Sequence, residues 1–306
     1  MKYLVGYTGF VGSNLNESTK FDGVFNTKNI NEAFGKNPDI LFYCGIPAQK
    51  YLANKFPDKD KDIIDNAINN IKKINPKSIV LISTIDVYET PIKIDEDFDT
   101  NKQNPEPYGK NRLLLEEYVK DNFNDYLIVR LPGLYGKNLK KNFIYDFINY
   151  VPEMLNESKY QELSHKSNKI KDYYYNMENG FYKLKENVNK KEARIIFENI
   201  GFSALNFTDS RGLFQFYNLK YLYNDIIKAR DNNIKLLNIV TEPVLVSDIY
   251  KEVTQEEFVN EISNKIPMYD LYTKYGYIYN SNTNYIQDRI FVLNDIKKYI
   301  LENMEK

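Results

Sequence analysis

The sequence predicts an α/β fold: a doubly wound parallel sheet with a smaller C-terminal lobe. Two observations lead to this prediction. Short, continuously apolar runs alternate with amphipathic stretches, as is typical of buried parallel strands connected by helices. The first of these runs opens at once into three glycines spaced three residues apart, Gly6, Gly9 and Gly12. We therefore expect a strand–turn–helix unit at the very start of the chain.

The length of the chain suits this organisation. Its 306 residues can form one large α/β domain with a smaller attached lobe. We expect the domain over residues 1–150 and the lobe mainly over residues 151–306, with a segment at about 205–245 returning to the domain. No repeat or low-complexity tract indicates further domains.

Charge and composition exclude several classes of partner. Lys and Arg number 41 against 42 Asp and Glu, a formal net charge of -1, so no broad basic surface favours nucleic acid or an anionic membrane. Cys44 is the one cysteine and His165 the one histidine, so we expect neither an internal disulfide nor a histidine-based metal site. No apolar run reaches the roughly 18 residues that cross a bilayer, and we expect a cytoplasmic protein.

The three glycines have the spacing of a dinucleotide-binding loop. Gly6 allows a tight turn after the first strand, Gly9 lets the backbone approach a pyrophosphate, and Gly12 lets the next helix pack on the strand. A helix with Phe10 and Val11 in its first turn directs amide groups and its positive dipole end at the phosphates. Glycines also serve ordinary tight turns, so this motif alone leaves the structural alternative open.

The second strand, Gly23–Lys28, bears on the choice of cofactor. It ends about twenty residues after Gly6, where an Asp or Glu usually binds the ribose 2′-hydroxyl of NAD. Here the residue is Asn26, followed by Thr27 and Lys28. Because these side chains do not repel a 2′-phosphate, both NAD and NADP fit, with NADP mildly favoured. Lys28 is equally well explained as a solvated lysine at a strand end.

The third and fourth strands are predicted over residues 39–45 and 78–84. The third ends in Cys44 and Gly45, which we place along the cofactor cleft because open α/β sheets bind ligands at the carboxyl ends of their strands. The thiol is also explained as a small buried filler. An amphipathic helix from about Asp58 to Ile74 lies between the two strands and covers the sheet.

A threonine hydroxyl lies at the predicted end of a strand, and a tyrosine phenol lies at the predicted start of a helix. Thr84 closes the fourth strand, and Tyr108 follows Pro107 in the first turn of a helix. Arg112 lies four residues after the tyrosine on the same helix face, so its guanidinium can reach the phenol. The structural alternatives are a strand-end cap, a surface tyrosine and an exposed helix arginine.

These stretches resemble the extended short-chain dehydrogenase/reductase family, the NAD-dependent epimerases, dehydratases and reductases of nucleotide-activated sugars. The likeness follows the family's order and spacing in the first half of the chain and is faint beyond Asn142. The matching segments are residues 6–12, 82–88, 108–112 and 129–136. The resemblance implies a Rossmann-like domain that binds NAD or NADP, and a C-terminal lobe that binds a nucleotide-sugar substrate.

The resemblance also implies catalytic roles. Tyr108 would handle the proton while a hydride passes between the nicotinamide and a sugar carbon, and Thr84 would orient the reacting oxygen. We expect their hydroxyls to face one shared point. The family carries lysine where this chain has Arg112, which keeps the charge and can donate to the cofactor ribose but cannot pass a proton on.

Two further residues are candidates for substrate binding. Asp86 is a single carboxylate where the family's dehydratases carry an Asp-Glu pair, which disfavours 4,6-dehydration. It is either an acid or base of the site or a solvated loop residue. Asn142 matches a family position that contacts the substrate diphosphate, and it is equally well explained as a helix N-cap.

We therefore expect a ketoreductase or epimerase that acts on a nucleotide sugar by hydride transfer. Because Arg112 departs from the family pattern, the alternative is a non-catalytic dinucleotide-binding sensor or scaffold with the same fold. The helix that carries Tyr108 is apolar over Leu113–Val119, and by analogy with the family we expect a homodimer. No nucleic acid, membrane or metal partner is expected.

Overall fold

The computed structural model describes residues 1–304 and has a parallel sheet at its centre. The strands of the described residues, numbered β1 to β13 along the chain, are Lys2–Val5, Gly23–Phe25, Ile40–Tyr43, Ile79–Thr84, Tyr126–Leu131, Gly133–Tyr135, Met154–Asn156, Tyr174–Asn176, Phe181–Leu184, Leu213–Phe214, Phe216–Asn218, Leu236–Asn238 and Val244–Leu245. Six of them form the central sheet in the order β12-β5-β4-β3-β1-β2, each parallel to its neighbours.

Helices connect and cover these strands. In the described residues the α-helices, numbered α1 to α11, are Phe10–Ser18, Lys50–Lys55, Pro57–Ile74, Pro107–Asn122, Phe143–Ile148, Glu157–Lys166, Lys169–Tyr173, Lys190–Asn199, Leu222–Asp231, Val246–Thr254 and Arg289–Met304. None of those helices between residues 1 and 304 has the length and apolar character of a membrane span.

Both faces of the sheet are buried under helices. Successive side chains of β1 point to opposite faces: Leu4 packs in a cluster with residues of α1 and α9, and Val5 packs in a second cluster with residues of α3 and α4. Leu4 and Val5 are each at most 2% exposed. Burial on two faces explains why these strands read as continuous apolar runs. The predicted doubly wound α/β fold is confirmed.

The first strand lies at the point where the strand order reverses. Val5 is paired with Phe25 on β2 and with Tyr43 on β3, so the chain leaves β1 to one side and returns to the other. The loops that follow β1 and β3 therefore separate at the carboxyl edge of the sheet. In open α/β sheets this crevice is where ligands bind.

A buried charged network fixes the carboxyl ends of β4 and β5 to α4. The side chains of Glu116 and Arg130 are 0% and 1% exposed, and their carboxylate oxygen and guanidinium nitrogen lie 2.5 Å apart. Arg130 also donates to the Tyr88 hydroxyl at 2.6 Å, and the Ser83 hydroxyl donates to Glu116 at 2.6 Å. Every charged atom thus has a partner, as burial of an ion pair requires.

The described residues separate into two compact units. The first consists of residues 1–139, 213–244 and 267–292 and contains the central sheet; the second consists of residues 140–212, 245–266 and 293 onward. Within the second unit, β7, β9 and β8 form an antiparallel sheet, and Leu155, Tyr174 and Phe197 belong to its own apolar core. The functional division at residue 150 stays a prediction.

Candidate active site

The glycine loop joins β1 to α1 in a conformation that needs glycine. Gly6 has a φ of +92°, and a Cβ added to it would lie 2.5 Å from the carbonyl oxygen of Cys44. A Cβ on Gly12 would lie 2.1 Å from the carbonyl oxygen of Gly6, which is closer than real Cβ atoms come. The amide of Gly6 donates to the Phe25 carbonyl at 2.7 Å and so joins the loop to β2. Close packing of the backbone therefore requires glycine at positions 6 and 12.

The third glycine presents an open backbone surface. A Cβ on Gly9 would meet one neighbouring atom within 4 Å, the Gly6 carbonyl oxygen at 3.3 Å. Gly9 is also the N-cap of α1, and no described side chain caps that helix start. Phe10 and Val11 follow it, each partly exposed. Backbone amides and the helix dipole thus face a space that a Cβ would narrow, which fits the pyrophosphate of NAD or NADP.

A Gly12→Ala substitution is expected to damage this loop directly. Since the new methyl group would collide with the Gly6 carbonyl, α1 must move away from β1, and we expect the affinity for NADPH to fall by about tenfold or more, equivalent to about 1.4 kcal/mol. Binding can be titrated by NADPH fluorescence. Asn16→Ala, on the exposed face of the same helix, is the matched control and should bind NADPH as the unmodified chain does.

The end of β2 carries the residues predicted to discriminate between the cofactors. The Asn26 carboxamide oxygen accepts the backbone N–H of Lys28 at 2.9 Å, and the backbone N–H of Asn26 donates to the Asn29 carboxamide oxygen at 2.8 Å. Lys28 is exposed. The short turn after β2 thus holds a neutral side chain at position 26. Its contact with the ribose stays a prediction.

The end of β3 lies against the glycine loop. Cys44 is hydrogen bonded through its backbone to Val5 at 2.9 Å, and burial raises the pKa of its thiol well above the ordinary value. The thiol therefore stays protonated, as expected of a small packing group. A Cβ on Gly45 would lie 3.0 Å from the Val5 side chain, so the chain passes close to β1 here.

Tyr108 lies in the first turn of α4 and is 6% exposed. Its backbone N–H donates to the Asn54 carboxamide at 2.9 Å, which caps the helix from α2. The next residue, Gly109, packs so tightly on the backbone of Asp86 that a Cβ there would lie 2.0 Å from the Asp86 carbonyl oxygen. This glycine brings the tyrosine alongside the end of β4.

The protonation of Tyr108 follows from these neighbours. Burial raises the pKa of its phenol above the ordinary value of about 10, the Arg112 guanidinium acts to lower it, and the Asp86 carboxylate acts to raise it. The net direction is upward. With these protein groups around it the phenol is protonated at neutral pH, so it is ready to donate a proton.

Thr84 and Asp86 form the end of β4. The Thr84 hydroxyl oxygen accepts the backbone N–H of Asp86 at 3.1 Å and so caps the short 3-10 turn Ile85–Val87. The strand-end cap is therefore present. The hydroxyl proton of Thr84 is not used by this cap, which leaves the oxygen able to donate to a reacting group.

Arg112 does not project freely from its helix. Its guanidinium donates to both carboxylate oxygens of Asp60, at 2.9 and 3.2 Å, and to the Pro47 carbonyl at 2.9 Å. Its central carbon lies 4.3 Å from the centre of the Tyr108 ring. The expectation that it reaches the tyrosine is thus met by stacking on the ring, whereas the alternative of an exposed arginine is wrong, because the residue is 4% exposed. Donation to a cofactor ribose stays a prediction.

Asp86 has two partners that the sequence did not indicate. Its Oδ1 atom accepts from the Lys50 ammonium at 2.8 Å and from the Tyr269 hydroxyl at 3.3 Å. Lys50 begins the short helix α2, and Tyr269 comes from a segment 183 residues after Asp86. Neither residue belongs to a recognisable motif, so no local signal was available to find them.

Asn142 belongs to the second unit. Its carboxamide oxygen accepts the backbone N–H of Tyr145 at 3.1 Å, so it is the N-cap of α5, one of the two roles considered for it. A contact with a substrate diphosphate stays a prediction. Within residues 1–304, no three His, Cys, Asp or Glu side chains are placed to hold a metal ion.

The parallel sheet, the glycine loop at its reversal point and the tyrosine beside β4 define a Rossmann-like protein of the extended short-chain dehydrogenase type. The model of the family described as "NAD dependent epimerase/dehydratase family" matches residues 3–176, more than half of the chain. The chain therefore belongs to that family, and the resemblance noted from the sequence is confirmed. The predicted cofactor class, NAD or NADP, is that of the family.

Solved structures with the same fold include enzymes of nucleotide sugars. A dTDP-4-dehydrorhamnose reductase from Bacillus anthracis, in complex with NADP, is 16% identical, with a TM-score of 0.61 over 98% of this chain and 97% of that one. A UDP-N-acetylglucosamine 4-epimerase from Methanobrevibacter ruminantium, in complex with UDP-N-acetylmuramic acid, is 12% identical, with a TM-score of 0.62 over 98% and 96%.

A third similar structure was determined in the presence of NADPH. It is a GDP-D-glycero-L-gluco-heptose synthase from Campylobacter jejuni, in the presence of NADPH, 14% identical with a TM-score of 0.61 over 100% of this chain and 98% of that one. At these identities the likeness establishes the fold alone. A search of curated protein sequences found no match.

Proposed function

We propose that the protein is an NAD(P)-dependent ketoreductase or epimerase that transfers a hydride at a carbon of a nucleotide-activated sugar. The observation that carries this proposal is the buried Tyr108, held by the contact between Gly109 and Asp86 beside the end of β4. That edge is continuous with the glycine loop through β3 and β1. The site thus combines a place for a dinucleotide with a proton donor.

Each of these residues has a task in the proposed reaction. The backbone around Gly9 binds the pyrophosphate and needs no basic side chain. Thr84 holds the reacting oxygen, and Tyr108 gives that oxygen a proton or takes one from it. Arg112 stacks on the tyrosine ring and favours its phenolate form. The bound nicotinamide supplies or accepts the hydride.

The protonated form of Tyr108 suits the reducing step that a ketoreductase and an epimerase share. A phenol whose pKa is raised carries the proton that a new hydroxyl group needs, whereas oxidation must begin with a phenolate. The named relatives of known structure act on dTDP-, UDP- or GDP-linked sugars, which supports a nucleoside diphosphate sugar as the substrate class. Binding of the sugar by the lobe of residues 151–306, with Asp86 and Asn142 contacting it, is part of this proposal.

The test is consumption of NADPH or NADH with a panel of nucleoside diphosphate keto-sugars. A reductase releases its oxidised cofactor after each turnover. An epimerase must return the same hydride, so the purified protein should retain its cofactor through dialysis. Turnover of at least one keto-sugar, or retained cofactor with interconversion of two sugars, supports the proposal, and neither with any sugar of the panel contradicts it.

The choice between NAD and NADP can be tested at position 26. An Asn26→Asp substitution keeps the oxygen that accepts the Lys28 N–H but adds a negative charge that repels a 2′-phosphate. We expect the ratio of NADPH to NADH dissociation constants to rise by about tenfold or more. Asn31→Asp, exposed in the same segment and equal in charge, should leave the ratio unchanged.

A dinucleotide sensor or scaffold is the second candidate. One observation favours it. Arg112, the cation expected beside the phenol, donates its hydrogen bonds to Asp60 and Pro47. Such a protein would bind NADPH yet convert none of the keto-sugars.

A homodimer in the cytoplasm completes the proposal, and sedimentation of the purified chain tests the dimer.

A further inference from the structure

Arg112, the cation expected beside Tyr108, forms its hydrogen bonds with other groups. Arg112 donates to the buried carboxylate of Asp60 and to the Pro47 carbonyl, and both charged side chains are at most 7% exposed. An arginine also stays protonated in proteins at ordinary pH, so it cannot relay a proton. A reaction that uses the Tyr108 phenol needs another group to exchange that proton with water.

Lys50 has the required contacts. Its ammonium donates to Asp86 Oδ1 at 2.8 Å, and the Tyr269 hydroxyl donates to the same oxygen at 3.3 Å. Glu106 is the other carboxylate near it, at 3.7 Å. The side chain of Lys50 is 41% exposed, whereas that of Asp86 is 22% exposed. The cluster therefore extends from the half-buried end of β4 to the solvent.

The backbone places this cluster beside Tyr108. Asn54, one turn after Lys50 on α2, accepts the backbone N–H of Tyr108 at 2.9 Å and donates to Glu106 at 2.8 Å. On the other side, Gly109 packs on the Asp86 backbone. The start of α4 is thus held between the helix that carries the lysine and the turn that carries the aspartate. The ring of Tyr269 is stacked on a neighbouring phenylalanine.

We propose that Lys50, held by Asp86 and Tyr269, exchanges protons between the phenol of Tyr108 and the solvent. The proposal rests on the proposed function. In the direction of reduction, the Tyr108 O–H bond breaks as its proton passes to the carbonyl oxygen that becomes a hydroxyl. An N–H proton of the Lys50 ammonium then passes to the phenolate, through the Tyr269 hydroxyl or a water, and the amine takes a proton from the solvent. Each turnover consumes one solvent proton, and oxidation runs the same transfers backwards.

The pKa values of Lys50, Tyr108 and Tyr269 are all shifted upward by their neighbours. Burial acts to lower the pKa of Lys50, but the Asp86 carboxylate more than offsets this, and the pKa lies above its ordinary value of about 10.4. Burial raises the pKa of both Tyr108 and Tyr269 above the ordinary value of about 10. All three groups therefore hold their protons at neutral pH until the Tyr108 phenol gives its own to the substrate, and the phenolate so formed is the base that takes a proton from Lys50.

The test compares three variants in steady-state turnover. We expect Lys50→Ala to lower kcat by about 10²-fold, the low end of what positioned proton transfer contributes. Lys50→Arg should be as slow, because it keeps the charge without exchanging protons. Methylamine added to Lys50→Ala should restore turnover in proportion to its concentration. Lys55→Ala, exposed on the same helix, is the control and should match the unmodified chain. NADPH affinity, measured by fluorescence, should be equal in all four proteins.

The outcomes separate this proposal from the function on which it rests. Wild-type turnover rates in Lys50→Arg, or a slow Lys50→Ala that methylamine does not rescue, would overturn the role of Lys50 and leave the proposed function standing. A natural chain that neither converts a keto-sugar with NADPH or NADH nor interconverts two sugars with a retained cofactor would overturn both. Rescue by methylamine together with a slow Lys50→Arg supports proton exchange, since a purely structural lysine responds to neither change.

Discussion

Replacing Tyr108 by phenylalanine is expected to lower kcat by about 10²- to 10⁴-fold, the range that a positioned proton-transfer group contributes. The ring and its stacking on Arg112 are retained in this variant, so the packing of α4 should change little. NADPH binding should also be unchanged, because the glycine loop is untouched. Steady-state kinetics with a keto-sugar and fluorescence titration of NADPH measure the two quantities separately.

Tyr118→Phe is the matched control for this prediction. It makes the same chemical change on the same helix, about 15 Å from Tyr108 along the helix axis. We expect it to keep both turnover and NADPH affinity. Equal turnover in Tyr108→Phe and the unmodified chain would show that the phenol takes no part in the chemistry.

The largest expected effect on stability comes from the buried charged network. Glu116→Ala leaves the guanidinium of Arg130 buried without its carboxylate, and breaking such a pair typically costs about 3–5 kcal/mol. The free energy of unfolding should fall by this amount. Urea denaturation can be followed by circular dichroism, or by tyrosine fluorescence, since the chain has 27 tyrosines and no tryptophan.

The neighbouring Glu117 provides the control for this network. It is exposed on the same helix, and Glu117→Ala should change the free energy of unfolding by less than about 0.5 kcal/mol. The double variant Glu116→Leu with Arg130→Met removes both charges and should recover much of the loss. Equal, small effects of Glu116→Ala and Glu117→Ala would mean that the buried pair does not hold β4, β5 and α4 together.

The sequence predicted the central sheet and the framework of the site well. The third strand was expected at residues 39–45 and is Ile40–Tyr43, and the fourth was expected at 78–84 and is Ile79–Thr84. Their signal is local, because a strand buried on both faces is a continuous apolar run. The start of α4 was also predicted from a local signal, because Pro107 suits the first helical position.

The antiparallel sheet of the second unit was not predicted, although part of its signal was present. Residues 151–203 are rich in Lys, Asn and Glu, yet they contain the hairpin of Tyr174–Asn176 and Phe181–Leu184. The connection between these two strands, residues 177–180, includes Asn179 and Gly180. An Asn-Gly pair between aromatic-rich runs is a strong hairpin signal. The abundance of Lys, Asn and Glu in this region obscured it.

The partners of the candidate site could not be predicted from local patterns. Asp60 stands in an acidic run that looks solvated, but it is 6% exposed because Arg112 reaches it across 52 residues of sequence. Tyr269 reaches Asp86 across 183 residues. Such contacts depend on how the elements pack, and periodicity within one element carries no information about them.

The central claim is that a hydride moves between the nicotinamide and a sugar carbon next to Tyr108. The most direct measurement supplies the protein with cofactor carrying deuterium at the reactive nicotinamide carbon, as NADPH or NADH, and with nucleoside diphosphate keto-sugars. Mass spectrometry of the sugar then shows whether deuterium was transferred. We expect one deuterium on the former carbonyl carbon, and less of it in the Gly12→Ala variant at NADPH concentrations below that variant's dissociation constant. Unlabelled sugars throughout, with NADPH bound and with no interconversion of sugars by a retained cofactor, would contradict the enzymatic account.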